Sequence, residues 1–191
     1  NSVAAGGAHS LIIKNDGTLH TCGWNGYGQL GDTIFNLNYP VKIMENVKSV
    51  AAGARHSLII KDDGTLFTCG WNQFWQLGDG TGYSQIFPVE IMNGIKTASA
   101  GTYHSLILGD DGTLFTCGIN NNGQLGAIIA SYEIPTEIMK DVKSIAAGAG
   151  HSLILKNDGT LLACGWNYNG QLGDGTTEDK YIPVQIIPKP N

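Results

Sequence analysis

Arginine occurs once in these 191 residues, at Arg55, and Lys plus Arg number 11 against 16 Asp plus Glu. The resulting net charge of −5 argues against a nucleic-acid or membrane-surface binder, because phosphate recognition needs clustered cations. No apolar run approaches the ~20 residues that a helix needs to span a bilayer, and no charged-then-apolar leader opens the chain. A start at Asn1, inside a repeat and without Met, points to a fragment or a processed product. Helical periodicity is missing throughout. So are C-x-x-C, H-x-x-x-H, G-x-S-x-G and H-E-x-x-H, and the 27 glycines never form a phosphate-binding loop between a strand and a helix. The glycines read as turn and close-packing residues.

What is present is one unit written four times. The stretch from Val3 to Asn25 returns, lightly edited, from Val50, Ala98 and Ile145. His9, His56, His104 and His151 lie 47, 48 and 47 residues apart, and Cys22, Cys69, Cys117 and Cys164 keep the same spacing. Such a period belongs to supersecondary units that bury their apolar faces only by stacking, as in propellers or solenoids. With 42% hydrophobic residues, residues 1–191 form a single propeller domain or a fragment of one, with repeats at about 1–47, 48–95, 96–142 and 143–191.

Each unit reads as four short strands, so the fold class is all-β. The first opens on proline (Pro40, Pro88, Pro135, Pro183), which suits a strand's first residue, where no ladder donor is needed. Lys48 to Ala52, Ser57 to Lys61, Thr65 to Cys69 and their equivalents follow. Asp16-Gly17, Asp63-Gly64, Asp111-Gly112 and Asp158-Gly159 mark a hairpin between the last two, read as the two-residue turn with both central φ positive. That turn places Trp24, Trp71 and Trp166 opposite His9, His56 and His151, where cross-strand packing explains them. The chain begins one strand into a unit and ends on a proline strand. The last of these, Pro183 to Ile187, is available to complete the first unit and lock a ring.

Ala-Gly-x-x-His-Ser-Leu, then Asp-Gly-Thr-Leu, then Cys-Gly-x-Asn-x-x-Gly-Gln-Leu-Gly, then a proline, resembles the regulator of chromosome condensation repeat over essentially the whole chain. The resemblance implies a β-propeller, typically of seven blades, so that four four-stranded blades form part of a larger ring. Two departures stand out. There are four repeats, and Cys22, Cys69, Cys117 and Cys164 occupy the place where the family usually has Trp before the Gly.

Four Cys and four His at fixed spacing invite a metal reading, yet each unit supplies only two donors and structural zinc wants four converging ones. The thiols read instead as small buried hydrophobes without disulfides, and His-Ser as satisfying loop backbone groups; no metal or other cofactor is expected. Reduced thiols fit a cytoplasmic address, and the resemblance, which extends to bacterial effectors with similar repeats, adds host cytosol as the alternative. Asp32, Asp79 and Asp174 read as turn chemistry, and no catalytic side chains are assigned.

A partner-binding face is legible from divergence between copies. The loop before the repeated His and the loop after the Cys-Gly strand emerge at one end of every sheet, and there the copies disagree. Arg55 and Tyr103 stand where Ala8 and Gly150 do, and Tyr27, Gln73, Phe74, Trp75 and Tyr168 lie in the second loop. Arg and large aromatics are enriched at protein interfaces, which makes these seven the candidate partner-binding residues. Trp75 replaces a glycine of the other copies, so the repeat does not require it.

The resemblance implies a protein-interaction propeller that promotes guanine-nucleotide exchange on a Ran-type small GTPase, and not an enzyme with a side-chain active site. The projecting loops Gln73 to Trp75 and Ala127 to Glu133 are the candidate wedges. The alternative is a passive binding or inhibitor module of a larger protein. A tryptophan photoreceptor would need a dense Trp and Arg interface that one arginine does not supply, and chromatin binding is disfavoured by the acidic charge. Both end repeats are as apolar as the inner ones, so the ends call for company: ring closure, self-association or, as favoured, further blades.

Overall fold

The computed structural model describes residues 2–186, all of it strand, turn and loop. The first sheet holds β1 (Ser2–Ala5), β2 (His9–Ile13), β3 (Leu19–Gly23) and β4 (Leu37–Met44). The second holds β5 (Val47–Ala52), β6 (His56–Lys61), β7 (Leu66–Gly70) and β8 (Gln85–Met92). The third has β9 (Ile95–Ala100), β10 (His104–Gly109), β11 (Leu114–Ile119) and β12 (Ser131–Met139), and the fourth β13 (Val142–Ala147), β14 (His151–Lys156), β15 (Leu161–Gly165) and β16 (Lys180–Gln185). All pairings are antiparallel between neighbours in sequence. The four sheets are the blades of a propeller arc.

Three sequence expectations are corrected here. The proline strand does not open a blade; it closes the blade of the preceding Cys-Gly strand, as β4 does on β3 and β16 on β15. The last proline strand therefore completes the fourth sheet and not the first; Ile187, its expected end, lies outside the described residues. Nor does proline begin the strand. Val41 pairs with Thr21 and Leu37 with Gly23, so four outer residues face two inner steps and Pro40 sits in the bulge between them; Pro88, Pro135 and Pro183 do the same. An outer edge strand tolerates a missing donor at such a bulge.

The hairpin is the third correction. Gly17 N–H bonds Lys14 C=O and Lys14 N–H bonds Thr18 C=O, with only Gly17 at positive φ. This is a three-residue loop, a type I turn followed by a left-handed glycine, instead of the two-residue form. Asp16 keeps an ordinary φ and accepts from Thr18 N–H and Oγ1–H. One extra loop residue slips the register by one. His9, His56 and His151 therefore pair with Gly23, Gly70 and Gly165, not with the tryptophans.

The core lies between blades. Leu11, Ile13 and Leu19 of the first sheet meet Val47 and Ile59 of the second, and equivalent clusters fill the next two interfaces. A polar latch crosses each interface beside the apolar layer. His9 Nε2 lies 3.0 Å from Ser57 Oγ, His56 Nε2 3.0 Å from Ser105 Oγ and His104 Nε2 3.1 Å from Ser152 Oγ. Each serine donates its one proton, at 2.7 Å, to the backbone carbonyl of Gln29, Gln76 or Gln124 in the preceding blade. Histidine must then be the donor to serine, which fixes the Nε2–H tautomer. The expectation for His-Ser thus holds for the serine only, because the histidine bridges blades.

Candidate functional site

The loop that follows each Cys-Gly strand is stapled by its own Asn and Gln. Asn25 Oδ1 accepts from Leu30 N–H at 2.9 Å, and Gln29 Oε1 accepts from Tyr27 N–H at 3.1 Å. Asn72 and Gln76 repeat this in the second blade, Asn120 and Gln124 in the third, and Asn167 and Gln171 in the fourth. The residue between Asn and Gln whose N–H is captured, Tyr27 or Phe74, is thereby held at one place on the face. The residue before each His is fixed from the other side. Arg55 C=O accepts from Trp71 N–H at 2.9 Å, as Ala8 C=O does from Trp24 N–H.

These two devices bring Tyr27, Arg55, Phe74 and Tyr103 together around two tryptophans. Tyr27 stacks on Trp71 with centroids 5.4 Å apart, and Trp24 meets Tyr27 edge-on at the same distance. Trp71 touches Phe74 at 5.3 Å and Tyr103 at 5.4 Å, and Phe74 touches Tyr103 at 5.0 Å. The Arg55 guanidinium lies 5.8, 5.6 and 5.0 Å from the Trp24, Tyr27 and Trp71 ring centroids. Cation–π attraction at such distances holds the guanidinium over the rings. Arg55 is exposed, and no carboxylate pairs with it among the described residues.

Gln73 and Tyr168 are exposed and stand outside this cluster, and Trp75 does not join its ring contacts. Trp75 has φ 60°, the left-handed conformation of Gly28, Gly123 and Gly170 at the same place in the other blades. An L-residue there costs about 1–2 kcal/mol relative to right-handed backbone. Trp75→Gly should therefore leave the thermal unfolding midpoint level or higher. A fall worth more than ~1 kcal/mol would instead make Trp75 a packing residue.

Sequence reasoning missed Trp24 and Trp71, which are the floor of the cluster. Trp71, only 7% exposed, was placed beside His56 by the two-residue hairpin. Reading Asn-Asp-Gly and Asp-Asp-Gly before Thr as three-residue loops moves it beside Arg55.

The repeated ionisable groups are spent on packing. Burial pushes His9 and His104 down to about 4 and His56 down to about 3, and the neighbouring histidines add to the effect on His56. Burial pushes the Cys69, Cys117 and Cys164 thiols up to about 12, and all four cysteines are free. No group of three or more His, Cys, Asp or Glu side chains gathers among the described residues. Asp79 and Asp174 accept from Thr81 and Thr176 N–H in their turns.

The sequence matches the family model described as RCC1-like domain over residues 1–190. No curated protein matches it. Among solved structures, human WBSCR16 is 28% identical with a TM-score of 0.88, over 98% of this chain and 53% of that one. Prp20p from Saccharomyces cerevisiae, characterised for its binding to Gsp1p and histones, is 25% identical with a TM-score of 0.90, over 98% and 50%. Yeast RCC1 (Prp20) bound to Kap60 aligns at 24% identity and a TM-score of 0.90, over 98% and 48%. This chain thus spans about half the length of the propellers it matches. It belongs to the RCC1-like domain family, as an all-β propeller arc of four four-stranded blades.

Proposed function

We propose that the chain is a protein-binding propeller surface that engages a Ran-type small GTPase and promotes release of its nucleotide. The observation that carries this reading is the cluster of Arg55 over Trp24, Tyr27 and Trp71, continued by Phe74 and Tyr103. A preordered aromatic floor under an unpaired arginine is the composition of an interface anchor. The similarity to Prp20p, a protein characterised for its binding to Gsp1p, supports the choice of partner class. The GTPase brings the nucleotide and its phosphate-binding chemistry. The propeller would act by binding the nucleotide-free state more tightly than the loaded one, which shifts the equilibrium towards release.

Two segments beside the anchor serve as wedges. One is Gln73 to Trp75. The other is Ala127 to Glu133, where Ile128 and Ile129 are exposed and line a hollow of about 400 Å³ with Tyr181. The ring cluster, each ring packed on its neighbour, equally supports a passive module that binds without exchange.

Release of a fluorescent guanine nucleotide from a Ran-type GTPase, measured with and without the chain, decides between them. Stimulated release that Arg55→Ala with Tyr103→Ala lowers at least tenfold is the expected result. Truncating such anchors costs about 2 kcal/mol or more. Binding without stimulated release would leave the passive module, and the absence of both would end the proposal.

A further inference from the structure

The residue before each repeated His roofs the joint with the preceding blade. Arg55 roofs the first joint, against Trp24, Tyr27 and Trp71. Tyr103 roofs the second, against Trp71 and Phe74. At the third joint the residue is Gly150, whose C=O keeps the same bond, accepting from Trp166 N–H at 2.8 Å. A Cβ there would meet nothing nearer than Trp166 Cβ at 3.6 Å. What remains is a hollow of about 220 Å³ lined by Thr102, Tyr103, Asn122, Gln124, Gly150 and Trp166. It lies between two adjacent blades, on the face of the ring cluster. Small-molecule pockets start at roughly 300 Å³, so this one is sized for a single side chain.

The walls suit a cation. Tyr103 and Trp166 offer aromatic rings, and Asn122 stands where Tyr27 does in the first blade. Asn122 Nδ2 donates to Asp179 at 2.8 Å. Because a carboxylate only accepts, the amide oxygen of Asn122 is turned away from Asp179, and no donor reaches it among the described residues. Asp179 replaces the Ser84 of the second blade, which is the blade that carries Arg55. Lys180 Nζ lies 3.5 Å from Asp174 and 3.4 Å from Glu178, which leaves Asp179 without a cation among the described residues. One joint thus has its own arginine and no such carboxylate, and the other has the carboxylate and no cation. We propose that the Gly150 hollow receives an arginine side chain of the protein partner, with its guanidinium against Trp166 and Tyr103, an N–H donated to Asn122 Oδ1, and Asp179 behind the amide. Cation–π attraction and the carboxylate act together on such a group. The site rests on the protein-binding reading above, and not on the partner being a GTPase.

The test titrates the chain with N-acetyl-arginine amide and follows the Trp166 indole N–H resonance. N-acetyl-citrulline amide, of the same shape but neutral, and N-acetyl-leucine amide are the comparisons. The arginine compound should give a saturable shift at millimolar concentration, and the other two should bind weaker by about fivefold or more. Asp179→Ser, which restores the residue of the second blade, should weaken the arginine compound to a similar degree. Gly150→Arg should abolish the response while its far-ultraviolet strand spectrum stays that of the parent, because the chain then fills the hollow itself. A parent chain that shows no saturable shift, or that binds the citrulline or leucine compound equally well, would overturn the proposal. Nucleotide release enters none of these measurements, so this site and the GTPase reading fail separately.

Discussion

Acidification from pH 7 to pH 4 should unfold the arc cooperatively, with the midpoint between about pH 4 and 6, the span between ordinary and depressed histidine pKa values. His9, His56 and His104 are held neutral inside the blade interfaces, with pKa values of about 4, 3 and 4. The unfolded chain takes up protons near 6.5 and the folded chain only near 4, so their contribution is complete above 6.5 and is lost as pH falls through the folded values. Each unit of depression is worth ~1.4 kcal/mol, so one such histidine removes about 3 kcal/mol by pH 4. Three of them rival the 5–15 kcal/mol, roughly, of a whole domain. Asp16, Asp63, Asp111 and Asp158 are held below the ordinary carboxylate value, because hydrogen bonds from the threonine two residues on favour their ionised forms. Tryptophan fluorescence against pH reads the transition. His56→Gln, which keeps an amide donor towards Ser105, should move the midpoint down, and an unmoved midpoint would show that the histidines do not drive it.

The second large effect is expected at the glycine of Ala-Gly-x-x-His. An alanine at Gly53 would put its Cβ 2.3 Å from His56 Cε1 and 2.6 Å from Gly101 O. Gly101 is in the same position against His104 and Gly148 O. Neither the buried imidazole nor the next blade's backbone has room to retreat, and overpacking of this kind costs about 1–3 kcal/mol. Gly53→Ala should break the latch from His56 to Ser105 and lower the midpoint of denaturant unfolding accordingly. Gly150→Ala is the control, since its Cβ meets nothing nearer than Trp166 Cβ at 3.6 Å. Equal stability of the two variants would refute this account of the motif.

The period, the four sheets and the face of divergence were legible in the sequence because they rest on spacing and strand alternation. Tyr27, Arg55, Phe74 and Tyr103 were found as departures from a repeat that supplies its own reference. Their clustering was not legible, since it depends on how neighbouring blades set Arg55 between Trp24 and Trp71. One loop residue decided the tryptophans: a three-residue turn at Asn15 to Gly17 moves Trp24 past His9 to Ala8. The interblade latch was hidden for another reason. His9 and Ser57 are separated by 48 residues, and nothing in either segment names its partner. The proline strands were placed one blade too late because periodicity fixes spacing but not where a unit starts.

The forward-facing histidine and backward-facing serine are neighbours in a single dipeptide, and that has a genetic consequence. Duplicating one stretch of 47 or 48 codons inserts a blade that arrives with both halves of its joints, so no matching mutation is needed elsewhere. Deleting a whole unit leaves an equally well-joined array. An insertion or loss out of phase separates a His from the Ser it must meet and strands both. Lineages carrying this repeat are thus free to vary copy number in whole steps, while the length of each step is held by the latch.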